Sequence, residues 1–308
     1  MIFINRIYGL VALIVTLGLP AFAQDRDFLV ASEWLEEHID DKNLIILETR
    51  YHPHRYFTVG HIEGAVQVQR FKDLGDNDSP SLMNFPSREA FQATLRVWGA
   101  NDDSTIVLYD DSNSALASRV YYLLDLYGFD MSRVKLLDGG VLGWQDFNDL
   151  SQQDEQATPG TVTLTEADPG KMVSWQFVYD HIVSRRDEEF MLLDARPETH
   201  YTGEVLAHAV RSGHIPGAVN IVSLSGTNSD ATWKTTAELE AMYADLPRDK
   251  TIVAYCHDGF RMSLAYMQLK SLGFADVRLL DGGWGFWGNK WSLPVVGGFE
   301  PFDDDFNL

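Results

Sequence analysis

The 308-residue sequence has a single cysteine, Cys256, which excludes any internal disulfide and leaves the fold to rest on its apolar core. A lone thiol is either a buried, inert side chain or one kept for its chemistry. Basic residues are scarce as well, 24 Lys and Arg against 45 Asp and Glu, for a formal charge of −21. Such a balance excludes nucleic acid and anionic membrane surfaces as natural partners and fits a solvated acidic surface. Beyond residue 23 no apolar run approaches the length of a membrane span. Metal-ligand spacing is nearly absent: His52-Pro53-His54 is a weak signal standing alone.

The first 24 residues, MIFINRIYGLVALIVTLGLPAFAQ, place Arg6 ahead of an apolar stretch that ends in Ala21-Phe22-Ala23. This pattern predicts a signal peptide over residues 1–23, cleaved on export to a periplasm or to the exterior. A retained anchor running from Ile7 to Ala23 and kinked at Pro20 is the alternative. Cleavage removes Arg6 alone among charged residues, so the mature chain carries 23 basic and 45 acidic side chains, net −22. Exported proteins usually pair their cysteines, and Cys256 has no partner.

The remaining chain repeats itself. Leu47-Glu48-Thr49-Arg50 matches Leu193-Asp194-Ala195-Arg196, and Gly60-His61-Ile62-Glu63-Gly64-Ala65 matches Gly213-His214-Ile215-Pro216-Gly217-Ala218. Thr105-Ile106-Val107-Leu108-Tyr109-Asp110 matches Thr251-Ile252-Val253-Ala254-Tyr255-Cys256, and Leu136-Leu137-Asp138-Gly139-Gly140 matches Leu279-Leu280-Asp281-Gly282-Gly283. Matches in the same order mark a duplicated domain. Boundaries follow at 24–150 and 171–308, with Ser151 to Gly170, poor in apolar periodicity, as the linker.

Within each copy short β-rich runs alternate with helical patterns. The runs are Leu44–Leu47, Thr105–Tyr109 and Val134–Leu137, then Phe190–Leu193, Thr251–Tyr255 and Val277–Leu280. Met262, Ala265, Tyr266, Leu269 and Leu272 share one helical face that stops at Gly273, and Leu116, Val120, Leu123, Leu124 and Tyr127 do the same before Gly128. Thr235-x-x-Glu238 predicts a capping box. The expected fold class is α/β: two tandem domains, each a mainly parallel sheet with helices on both faces. The glycine-rich segments are expected to serve tight turns, His61 and His214 to be hydrogen-bonded turn residues, and the tail Asp303-Asp304-Asp305 to be solvated.

Chemistry is expected where the strand Thr251–Tyr255 ends in Cys256-His257-Asp258-Gly259-Phe260-Arg261 and a helix begins, because parallel α/β sheets bind ligands beyond the carboxyl ends of their strands. Loop amides and Arg261 would lower the Cys256 pKa from its ordinary value toward a reactive thiolate. Gly259 would let its amide turn inward, and Arg261 is expected to point back into the same cradle. The first copy has Asp110 where the nucleophile should be, so it should be catalytically silent and help wall a site at the domain interface.

Both halves resemble tandem rhodanese domains, as found in thiosulfate and 3-mercaptopyruvate sulfurtransferases, through Asp194-Ala195-Arg196, Ser212 to Ala218, the Cys256 loop and Leu280-Asp281-Gly282-Gly283-Trp284. The resemblance implies that a Cys256 thiolate takes a sulfane sulfur from a small anionic donor and passes it from a persulfide to cyanide, a thiol or an acceptor protein. It implies neither metal nor organic cofactor. It further implies donor binding by Arg196, with His200 standing where mercaptopyruvate-using members carry a second arginine and Arg211 as a candidate to compensate. His257 and Asp258 match neither the basic residues of thiosulfate-using members nor the small polar ones of mercaptopyruvate-using members. Two other readings stay open. One is a non-enzymatic sulfur-carrier, binding or redox-sensing module. The other is a phosphatase or arsenate reductase of related fold, although those place their arginine sixth after the cysteine, and Arg261 is fifth.

Overall fold

The structure, a computed structural model, describes residues 26–79, 83–154, 156–207 and 209–302. The expected leader and the acidic tail at 303–305 lie outside the described residues.

Two five-stranded parallel sheets account for the duplication. The first is built from β1 (Leu29–Val30), β2 (Leu44–Thr49), β3 (Ala65–Val68), β4 (Thr105–Asp110) and β5 (Val134–Leu137), in the order β1-β5-β4-β2-β3. The second repeats it with β6 (Met172–Val173), β7 (Phe190–Asp194), β8 (Ala218–Asn220), β9 (Thr251–Tyr255) and β10 (Val277–Leu280), in the order β6-β10-β9-β7-β8. Every pairing is parallel. The central strands β4 and β9 are apolar almost throughout because both faces of each sheet are covered; Ile106, Val107, Leu108, Ile252, Val253 and Ala254 are fully buried. The edge strands β1, β3, β6 and β8 are only two to four residues long. A run that short carries no usable alternation, which is why sequence reasoning missed them.

The helices Ala117–Leu126 and Phe260–Ser271 pack on each other where the domains meet, with Tyr122 and Tyr266 edge to face, ring centroids 5.0 Å apart. Phe260–Ser271 is buried nearly all round, Leu264 and Met267 included, since one side covers its own sheet and the other meets the sister domain. One continuous apolar core therefore runs through both domains. Gln268, buried within it, is paired on both sides: Tyr243 donates to Gln268 Oε1 at 2.6 Å, and Gln268 Nε2 donates to the Ser223 carbonyl at 3.1 Å. The capping box at Thr235 and Glu238 is formed.

The Leu-Asp-Gly-Gly turns do more than turn. The Asp138 carboxylate, in the first domain, accepts the Trp233 amide of the second at 2.8 Å. Asp281, in the second, accepts the Phe85 amide of the first at 2.7 Å and Asn84 Nδ2 at 2.8 Å. Each repeat thus lends the other an acceptor for an amide at the interface.

The linker is not a free tether. The Gly160 amide donates to the Arg96 carbonyl at 2.7 Å, the Val162 amide to the Ala100 carbonyl at 3.0 Å, and Val162 and Leu164 are buried against the first domain. Alternating side chains fasten the segment down although it forms no strand, a signal too brief to register as periodicity. No helix among the described residues is long and apolar enough to cross a membrane.

Candidate active site

Cys256 follows β9 directly, and the helix Phe260–Ser271 starts after a three-residue turn closed by Gly259 at φ 96°. That positive φ is disfavoured for any residue with a Cβ, and here a Cβ would also lie 1.8 Å from Arg119 Nη1. Glycine is required on both counts. The turn brings the Gly259 amide to 3.1 Å from Cys256 Sγ, and the Met262 amide also donates to the sulfur.

The loop is strapped from the other side by the β10 turn. Trp284 N donates to the Cys256 carbonyl and Gly285 N to the His257 carbonyl, both at 2.8 Å. Gly283, at φ 49°, permits this approach, because a Cβ there would meet the Cys256 carbonyl oxygen at 2.5 Å. Gly140 makes the same close approach to the Asp110 carbonyl in the first domain. Structural duty was the expectation for these glycines, and that duty is to hold the chemical loop.

Cys256 is fully buried. Burial pushes its thiol up from the ordinary value, the nearby Asp258 carboxylate adds to that, and the Met262 amide, the Arg261 charge and the Gly259 amide pull it back only in part. The expected lowering is therefore corrected: withdrawal from water outweighs the loop dipoles in the folded protein.

A cavity of about 580 Å³ opens between the domains. His257, Asp258, Phe260 and Arg261 from the Cys256 loop line one side, together with His200, Ala207 and Leu224. The first domain supplies Tyr51, Arg70, Phe71, Met83, Ser112, Asn113, Ala115 and Leu116. Arg261 thus faces the cavity, and its Nε is buried without a hydrogen-bond partner. Residues of the first domain thus form one wall of this cavity.

Two expected donor-binding residues are placed otherwise. Arg196 is buried and committed to Asp194, whose carboxylate receives its Nε at 2.9 Å and its Nη2 at 2.5 Å, while Nη2 also donates to the Gly213 carbonyl at 2.8 Å. Burial alone would lower its pKa, but Asp194 and Tyr255 hold the guanidinium charged, above its ordinary value. Its flat face lies 4.5 Å from the Trp284 ring. With Nε and Nη2 committed to Asp194 and Gly213 and no place on the cavity wall, Arg196 holds a scaffold position rather than that of a donor anchor. Arg211 is corrected likewise: its guanidinium donates to the carbonyls of Trp287, Gly288, Lys290 and Leu293, stopping the helix Gly283–Trp287 and the turn that follows. His200 alone of the three reaches the cavity.

His61 and His214 are buried turn histidines, as expected. Each ring nitrogen Nδ1 bonds a carbonyl, Tyr56 at 3.0 Å and Tyr201 at 2.9 Å, and each ring stacks on that tyrosine. Sequence reasoning missed Tyr51, Arg70 and Phe71. Their signal was topological: Tyr51 and Arg70 lie just past the carboxyl ends of β2 and β3, the same edge of the sheet that Asp110 occupies.

In the first domain the Asp110 carboxylate occupies its own loop. It accepts the amides of Ser112 and Ser114 on Oδ1, at 2.8 and 3.0 Å, and those of Leu116 and Ala117 on Oδ2, at 2.7 and 2.9 Å. A cradle built for an anion is filled by a side chain that cannot carry sulfur.

Tandem parallel domains, one loop cysteine and a cleft between them define a class, and comparison with known proteins agrees. The rhodanese-like domain family matches residues 31–147 and 179–290. The chain belongs to the tandem-domain rhodanese sulfurtransferase family. It is 32% identical over 286 residues to the sulfur carrier protein TtuD of Thermus thermophilus, covering 89% of this chain and 98% of that protein. It is 30% identical over 280 residues to the 3-mercaptopyruvate sulfurtransferase of Escherichia coli, covering 87% and 97%. The crystal structure of SseA from Escherichia coli, titled as a 3-mercaptopyruvate sulfotransferase, superposes with a TM-score of 0.72 at 29% identity, over 83% of this chain and 98% of that one. The complex of an EanB variant with hercynine shares the fold, with a TM-score of 0.79 at 23% identity over 90% of this chain and 70% of that one. Family membership makes sulfur transfer the general activity.

Proposed function

We propose that the chain moves a sulfane sulfur from a small anionic donor, thiosulfate or 3-mercaptopyruvate, through a persulfide on Cys256 to a thiophilic acceptor such as cyanide, a small thiol or a protein thiol. The observation that carries this reading is the placement of the chain's one cysteine, at the end of β9, in a loop whose next residues line the interdomain cavity.

In the first step the Cys256 thiolate attacks the outer sulfur of the donor. With thiosulfate the S–S bond breaks and sulfite leaves; with 3-mercaptopyruvate the C–S bond breaks and the pyruvate enolate takes a proton. The negative charge on the outer persulfide sulfur then faces loop amides and the Arg261 side chain, donors already in place before the reaction. In the second step an acceptor nucleophile takes that sulfur and returns Cys256 to its thiolate. Arg261 and His200 support donor binding from the cavity wall. The likeness to a protein named as a sulfur carrier supports a protein thiol among the acceptors. An exported setting follows from the leader sequence and belongs to the same proposal.

The test is the intact mass of the mature protein after incubation with each donor, beside Cys256→Ser. The expected result is a gain of one sulfur atom, lost on adding cyanide or thiol and absent from the serine variant. An equal gain in the serine variant would overturn the reading.

A further inference from the structure

The cavity holds a cation that the loop chemistry does not use. Arg70 follows β3 on the silent domain, across the cleft from the Cys256 loop. Its guanidinium lies 4.1 Å from the Tyr51 ring centroid and 4.4 Å from that of Phe71. Among the described residues no carboxylate pairs with it, and its Nε is buried without a hydrogen-bond partner. In a chain with 45 acidic and 24 basic side chains, an arginine fixed by two rings, without an acidic partner among the described residues and facing a cavity is set up to receive an anion from outside.

The rest of the cavity describes the molecule that brings the anion. Its walls include the apolar Met83, Leu116, Leu224 and Phe260, and its volume of about 580 Å³ is that of a site for an organic ligand. Apolar walls hold methylene groups well and a bare inorganic dianion badly.

We propose that Arg70 binds the carboxylate of an organic thiol whose sulfur accepts the persulfide sulfur of Cys256. This rests on the sulfur-transfer reading and names its acceptor class. The thiol's aliphatic body lies along the apolar wall, its carboxylate takes the Arg70 fork, and its thiolate attacks the outer sulfur of the Cys256 persulfide. The Sγ–S bond breaks, its electron pair stays on Cys256 Sγ, and the acceptor leaves as an organic persulfide. No outside oxidant or reductant enters. Arg70 touches substrate but not the reacting sulfur, so it governs which thiol is used.

The test loads the full mature chain with sulfur from thiosulfate or 3-mercaptopyruvate, removes the donor, and follows sulfur loss by quenched intact mass after mixing with 3-mercaptopropionate or 3-mercaptopropanol. These thiols differ in a carboxylate against a hydroxyl. The unaltered chain should favour the carboxylate by about tenfold in kcat/KM, the scale of one charge-assisted contact. Arg70→Ala should remove that preference through KM with the maximal rate kept, and Arg70→Lys should retain part of it. The same preference in Arg70→Ala as in the unaltered chain would overturn the proposal. Should the chain gain no sulfur from either donor, the sulfur-transfer reading fails by itself. Calorimetric binding of 3-mercaptopropionate to Cys256→Ser then decides the carboxylate site: saturable binding lost with Arg70→Ala upholds it, and no binding overturns it.

Discussion

Asp110 and Cys256 occupy equivalent positions at the ends of β4 and β9, and each takes its own loop's amides, four onto the Asp110 carboxylate and the Gly259 amide onto the sulfur. The two repeats share an anion cradle and differ in what fills it. Asp110→Ala would leave those amides without an acceptor in a buried turn. The expected cost is roughly 1–3 kcal/mol, read as a lower midpoint in urea unfolding at unchanged slope.

The pH range of loading is expected to depend on burial of Cys256 and, after it, on Asp258. Burial and this carboxylate hold the Cys256 thiol above its ordinary value, so the thiolate fraction, and with it the rate of persulfide formation, should still be rising on the alkaline side of neutrality. Asp258→Asn removes one negative neighbour and should move that rise to lower pH. A profile of loading rate against pH for both proteins checks it, and coincident profiles would count against the assignment.

Arg196→Ala should act on stability and not on donor affinity. Removing the guanidinium leaves Asp194 buried and unpaired, a loss of about 3–5 kcal/mol for a pair of this kind. Chemical unfolding should show that loss, while the donor concentration at half-maximal loading stays unchanged at a temperature where the variant is folded.

His200→Ala should do the reverse. The side chain lines the cavity and lies outside the apolar core, so the variant should unfold like the parent and need more donor for half-maximal loading.

The contrast between Arg196 and His200 shows what the sequence made legible. The repeat revealed the duplication, the central strands and the nucleophile, because apolar runs and a strand-to-helix turn are local patterns. Arg196 misled because a matching motif carries no information on which way a side chain points; its partners at Asp194, Gly213 and Trp284 come together only in the fold. Arg70 was illegible for the same reason, since its place beside Tyr51 and Phe71 on the cavity wall depends on how two sheets meet. The strap on the Cys256 loop likewise comes from Trp284 and Gly285, residues well separated from it along the chain.

The exchange between Asp138 and Asp281 carries a consequence for how this chain can change. Asp281→Ala would strip an acceptor from Phe85 and Asn84 of the first half, at a cost of about 1–3 kcal/mol. Each copy completes its sibling's hydrogen bonding, so neither is a freestanding module. A truncation intended to isolate the second half would release a fragment with an exposed face and an orphaned Trp233 amide.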